Sequence, residues 1–132
     1  MLEQHVEIDY AALSYFPSSK IGDSLTFDQF GAVVDRLAAA IHRSIVIPET
    51  GYPSTPDFGG QFAQWRNEVP GYPLSVDGQR RWLHDFLEFC AHNPNIAGAF
   101  YWSPEWYGDT MWKGFALFDL NGNAKPAWKE FH

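Results

Sequence analysis

The stretch Ser44-Ile-Val-Ile-Pro-Glu49-Thr-Gly-Tyr52-Pro53 decides how this chain is read. Ser44 to Ile47 is a short apolar run rich in β-branched residues, and it stops at a carboxylate. Turn-forming residues follow at once. Such a run, bounded this way, predicts a buried strand. A glutamate at the C-terminal lip of a buried strand is where α/β enzymes place reactive groups. Two further runs predict flanking strands, Ala11 to Tyr15 and Ala97 to Trp102, and both end in aromatic residues.

Helices are expected between these strands. Thr26 and Gln29 form a capping-box pattern, in which each side chain satisfies the other's free backbone N–H. Phe27, Phe30, Val33, Val34, Leu37 and Ile41 then recur at helical spacing along one face. Asp28 near the start and Arg43 near the end complement the helix dipole. A second helix is expected from about Ser75, with Leu83, Phe86, Leu87 and Cys90 as its apolar face, ending around His92-Asn93-Pro94. A short last helix is expected from Pro126 to Phe131, with proline in its first turn. The segment from Thr50 to Leu74 is irregular and rich in proline and glycine, a length of loop that is usually functional. Another aromatic loop runs from Ser103 to Gly114. The order β-α-β-α-β-α implies parallel strands joined by crossovers. An open doubly wound sheet and a piece of a (β/α)8 barrel both fit. No glycine-rich phosphate loop follows any strand, which disfavours a nucleotide-binding sheet.

Composition narrows the function. At 132 residues the chain is of one-domain size, and 45% of it is hydrophobic, enough to build a core. A net charge of −7 argues against nucleic acid and against an anionic membrane surface. Six Trp, six Tyr and eleven Phe exceed what a small core needs and suit a neutral ligand with flat apolar faces, such as a sugar. The single cysteine, Cys90, excludes an internal disulfide and reads as a small buried hydrophobe. No secretory signal and no membrane-length apolar run is visible, so the signal of a secreted parent would lie outside this chain.

Glu49 is the leading catalytic candidate, as a nucleophile on an anomeric carbon or as a general base. Trp102 ends the third strand in Phe100-Tyr-Trp-Ser-Pro104 and can stack on a pyranose. Tyr15 stands at the matching end of the first strand, where a phenol that hydrogen-bonds the carboxylate and a half-buried packing residue fit equally well. Tyr52, Glu105 and Trp106 are further candidates for substrate contact. Glu105 and Trp106 share the last loop with Tyr107, Asp109 and Trp112, and for all five subsite contact and simple packing compete evenly. Asn67-Glu68 resembles a general-acid pair but follows a loop and no strand, so it reads as unrelated. The five histidines show no metal-ligand spacing, Asp57 and Asp77 alone make no calcium site, and no G-x-S-x-G elbow exists. No metal and no cofactor is expected.

Taken in order, Leu13-Ser-Tyr15-Phe-Pro17, Pro48-Glu49-Thr-Gly-Tyr52-Pro53, Ser75-Val-Asp-Gly-Gln79, Ala99-Phe-Tyr-Trp102-Ser-Pro104-Glu-Trp106 and Ala116-Leu-Phe-Asp119-Leu-Asn-Gly122 resemble the C-terminal part of glycoside hydrolase family 53, the arabinogalactan endo-β-1,4-galactanases. The resemblance implies one partial domain over residues 1–132, the last three β/α units of a (β/α)8 TIM barrel. It implies a retaining, endo-acting hydrolase of β-1,4-linked galactan, from a secreted or periplasmic parent. Glu49 would be the nucleophile at the end of the seventh strand, Tyr15 the sixth-strand aromatic beside it, and Trp102 the platform under the sugar. The acid/base glutamate would sit on the fourth strand, which this chain lacks. Ser103 departs from the family, where an acidic residue often stands between that Trp and Pro, and this bears on substrate preference. A mannanase or glucanase of the same clan, and a non-catalytic sugar-binding or structural fragment, are the alternatives. The isolated chain is expected to be inactive, or to associate with itself or with a missing N-terminal half.

Overall fold

The computed structural model describes residues 7–19, 26–108 and 111–131. Asp109 therefore lies outside the described residues. Three strands, β1 (Ala11–Ala12), β2 (Ile45–Thr50) and β3 (Ile96–Tyr101), form one parallel sheet in the order β1-β2-β3. Helix α1 (Phe27–Ile41) joins β1 to β2, and α2 (Val76–His92) joins β2 to β3. Both crossovers follow from the alternation expected of the sequence. The Thr26–Gln29 capping box is formed in both directions, and Ser75 caps α2 through the Gly78 N–H at 3.0 Å. The chain closes in a 3-10 helix, Pro126–Phe131, held to α2 where Glu130 meets Arg80 at 3.2 Å and His84 at 3.0 Å. No helix among the described residues is long and apolar enough to cross a membrane.

The two faces of the sheet differ. Ile45 and Ile47 are fully buried on the helix side, with Phe30 and Val34 of α1 and Trp82, Leu83 and Phe86 of α2. Ala12, Ser14 and Phe100 are exposed, Phe100 to 63%. Alternation along a strand puts Ala12, Ser14, Val46 and Pro48 on this second face, and nothing among the described elements covers it. A parallel sheet is ordinarily covered on both sides; here the described elements cover one. Removing an apolar face from water contributes roughly 25 cal/mol per Å². Here only the helix face collects that stabilisation.

A second, smaller core lies above the C-terminal ends of the strands. Phe58, Trp112 and Phe115 are buried, with Phe16, Phe62 and Trp65 packed around them. Trp112 and Phe115 stack with centroids 4.4 Å apart. The cluster draws the loops after β1, β2 and β3 into one wall. The loop after β2 is thus ordered by its own aromatics and by a 3-10 turn at Gly60–Phe62.

Candidate active site

Strict alternation from Ile45 and Ile47 would carry Glu49 to the helix side. A bulge prevents it. Ile47 pairs with Ala99 and Thr50 with Tyr101, so β2 has two residues, Pro48 and Glu49, where β3 has only Phe100. Pro48 has no N–H to give the ladder, which suits it to this position. The extra residue resets the phase. Thr50 is buried, and its hydroxyl donates to the Tyr15 carbonyl at 2.7 Å. Glu49 is left half-buried and turned to the bare face, where its carboxylate accepts a hydrogen bond from Ser14 Oγ at 3.4 Å. Bulges of this kind re-aim side chains beside active sites. Glu49 stands inside the last turn of pleat, not after it, because β2 runs past Ile47 to Thr50.

Trp102 follows β3 directly, and its N–H donates to the Thr50 carbonyl at 2.8 Å. The ladder therefore ties the Trp102 backbone to the residue after Glu49. Ser103 takes φ of 48°, a left-handed conformation that turns the chain back. Trp106 then meets Trp102 edge to face, with centroids 6.1 Å apart and planes at 70°. Both indoles stay accessible, at 38% and 47%. Glu105 is exposed between them. The Trp102 carbonyl accepts from Trp112 Nε1 at 3.1 Å, which fastens this loop to the second core. Trp112 itself is buried and presents no open face.

Two expected contacts are corrected by burial. Tyr15 is 2% exposed and stacks on Phe30 of α1 at 4.0 Å, on the helix side of the sheet. Its phenol cannot hold a carboxylate that faces the other way. Tyr15 alternates with Leu13 and Ala11, and it is Ser14, one residue earlier, that reaches Glu49. Polar Ser14 between two apolar residues was the signal for this. Tyr52 is fully buried and stacks on Trp82 at 5.2 Å. Its hydroxyl accepts from the Val69 N–H at 3.0 Å and donates to the Tyr72 carbonyl. Desolvation pushes its phenol up to about 12. Tyr52 braces the loop from inside and does not present a face to a ligand.

The remaining candidates fall as follows. Asn67 and Glu68 belong to no strand, and the Asn67 N–H donates to the Ser18 carbonyl. Cys90 is free and half-buried, and burial pushes its thiol up to about 12, so it is an unreactive thiol at neutral pH. No cluster of three or more metal-ligating side chains occurs among the described residues.

A parallel sheet covered by helices on one face and bare on the other, with a carboxylate and two indoles gathered at the C-terminal ends of its strands, is a sector of a (β/α)8 barrel seen at its functional rim. The chain belongs to glycosyl hydrolase family 53, whose sequence profile matches residues 1–131. It is similar to an endo-beta-1,4-galactanase of Bacillus subtilis, with 30% identity over 96% of this chain and 38% of that protein. It is also similar to an uncharacterised protein of Niallia circulans, with 33% identity over 89% of this chain and 35% of the other. Among solved structures, the GH53 catalytic domain of Ignisphaera aggregans superposes with a TM-score of 0.78 at 27% identity, covering 99% of this chain and 40% of that one. A structure of fungal beta-1,4-galactanases shares the fold, with a TM-score of 0.69 at 21% identity over 93% of this chain and 37% of that one. The chain thus spans about two fifths of the length of these relatives.

Proposed function

We propose that this chain supplies the nucleophile half of a retaining, endo-acting glycosidase site for β-1,4-linked galactan. The observation that carries the proposal is the β2 bulge, which turns Glu49 out of the helix-side core to the bare face, level with Trp102. In a retaining mechanism one carboxylate attacks the anomeric carbon while a second, about 5–5.5 Å away, protonates the leaving oxygen and later activates water. Glu49 is the attacking group. Ser14 Oγ donates to it in a long hydrogen bond of 3.4 Å. Trp102 and Trp106 offer apolar faces on which a galactose ring can stack. The relative named as an endo-beta-1,4-galactanase supports galactan as the substrate class.

The second carboxylate must come from polypeptide that completes the barrel against the bare face. The full site therefore assembles from this sector and a partner sector of (β/α) units. The test is a reducing-sugar assay on β-1,4-galactan, with this chain alone and after refolding it with the complementary barrel sector of a family member. Turnover is expected only in the mixture. Glu49→Gln is expected to abolish it while leaving galacto-oligosaccharide binding in place. Turnover that survives Glu49→Gln would remove Glu49 from the mechanism.

A further inference from the structure

Gln79 is fully buried at the end of the first turn of α2, on the side that faces the rim loops. Its Nε2 lies 2.8 Å from the Tyr52 carbonyl and 3.1 Å from the Phe115 carbonyl. The Gly114 and Ala116 carbonyls are each 3.5 Å away. The Tyr101 hydroxyl is at 3.3 Å and itself donates to the Phe115 carbonyl at 2.7 Å. The backbone atoms around Nε2 are all carbonyl oxygens, so a group with two N–H donors suits the position. Tyr52 opens the loop three residues after Glu49, and Phe115 closes the loop that carries Trp102 and Trp106. Tyr101 is the residue before Trp102. One amide thus joins the segment behind the carboxylate to the segment behind the indoles.

The local sequence is built to deliver that amide. Ser75 caps the helix, and Gly78 passes so close to Pro73 that a Cβ there would lie 1.8 Å from the Pro73 oxygen. The tight approach is what brings Gln79 beneath both loops. We infer that Gln79 is a positioning residue for the proposed glycosidase site, setting the rim segment that bears Glu49 against the rim segment that bears Trp102. This rests on the functional reading above, but its test does not require a glycan.

The test is hydrogen exchange, followed by mass spectrometry, on the whole chain and three variants. Gln79→Leu keeps the size and removes the donor. Gln79→Glu puts a carboxyl among carbonyls, which favours its protonated form. Protonated, it donates one bond; ionised, it donates none. Tyr101→Phe removes only the bridging hydroxyl and is the variant surest to fold. Relative to the unmodified chain at the same pH, Gln79→Leu is expected to raise exchange in residues 50–54 and 114–118 by roughly 10- to 100-fold, the loss expected when buried carbonyls lose their donor. Exchange within α1 stays unchanged. Gln79→Glu is expected to lie between the unmodified chain and Gln79→Leu while the carboxyl is protonated, since one of the two donated bonds remains, and to match Gln79→Leu once it is ionised at higher pH. Tyr101→Phe should give a smaller rise in the same segments. Unchanged exchange in those segments, or a uniform rise that includes α1, would overturn the inference. A failed hydrolysis assay would instead count against the glycosidase reading and leave this result standing.

Discussion

Tyr52→Phe separates a sugar-facing tyrosine from a structural one. The substitution removes one oxygen and leaves the ring, which keeps its stack on Trp82. What it strands is the Val69 N–H, at 3.0 Å from the lost oxygen, and the Tyr72 carbonyl. Val69 is 4% exposed, so its N–H has no ready access to water. An orphaned buried polar group costs about 1–3 kcal/mol. Tyr72 is only half-buried, and its carbonyl can recover part of the loss from solvent. The expected total is about 2–4 kcal/mol, a large share of the 5–15 kcal/mol that holds a typical domain together. The assay is urea unfolding followed by tryptophan fluorescence. With a slope of about 1–3 kcal/mol per molar, the midpoint should fall by roughly 1–2 M while the slope is unchanged. Tyr10→Phe is the control, because Tyr10 is 59% exposed and should shift stability by less than about 0.5 kcal/mol. If Tyr52→Phe behaves like the control and instead weakens oligosaccharide binding, the internal-brace assignment is wrong and the sequence-based expectation was right.

Alkaline pH should unfold the chain with two opposed signs. Burial pushes Tyr52 and Tyr72 up from 10.0 to about 12, and Tyr15 and Tyr101 are raised for the same reason. The folded state then keeps protons that the unfolded chain releases, so this stability is intact below about pH 10 and is lost as pH rises toward 12. Lys125 acts the other way: burial lowers its ammonium from 10.5 to about 8 against the pull of Asp119, so its contribution grows as pH rises from 8 to 10.5, and Lys125→Met should remove that rise in a pH series of urea midpoints. Gly78→Ala forces a methyl group onto the Pro73 carbonyl and should cost about 2–4 kcal/mol by the same unfolding assay, beyond ordinary overpacking. On the bare face, sedimentation should show concentration-dependent self-association of the chain, and Phe100→Glu should reduce it by placing charge at a residue 63% exposed.

Most of the architecture was legible because it rests on local chemistry. The helix at Thr26 announces itself through a capping box, and the one at Ser75 through a cap followed by an apolar stripe. The strands show as β-branched or aromatic runs between turns. What stayed hidden was which way individual side chains turn. Tyr15 and Ser14 are neighbours in sequence, yet one packs under α1 and the other reaches Glu49. The pattern of polar and apolar residues could have assigned them, since Ser14 is the polar member of the pair. Gln79 left no such trace, because its partners are backbone carbonyls of loops 27 and 36 residues distant.

Glu49 is the instructive case, since the sequence places it at the end of β2 but does not show the device that turns its side chain. Counting by twos from Ile45 predicts a buried glutamate on the helix side, beside Trp82 and Phe86, where an unpaired carboxylate would cost several kcal/mol. The bulge at Pro48 shifts the count by one, and it does so where proline has already removed a ladder hydrogen bond. Proline before the glutamate is therefore part of what sets the direction of Glu49. It lets one strand bury Ile45, Ile47 and Thr50 in a helix-covered core and still deliver the intervening carboxylate to the opposite face, next to Ser14. A strand without the bulge could do one or the other.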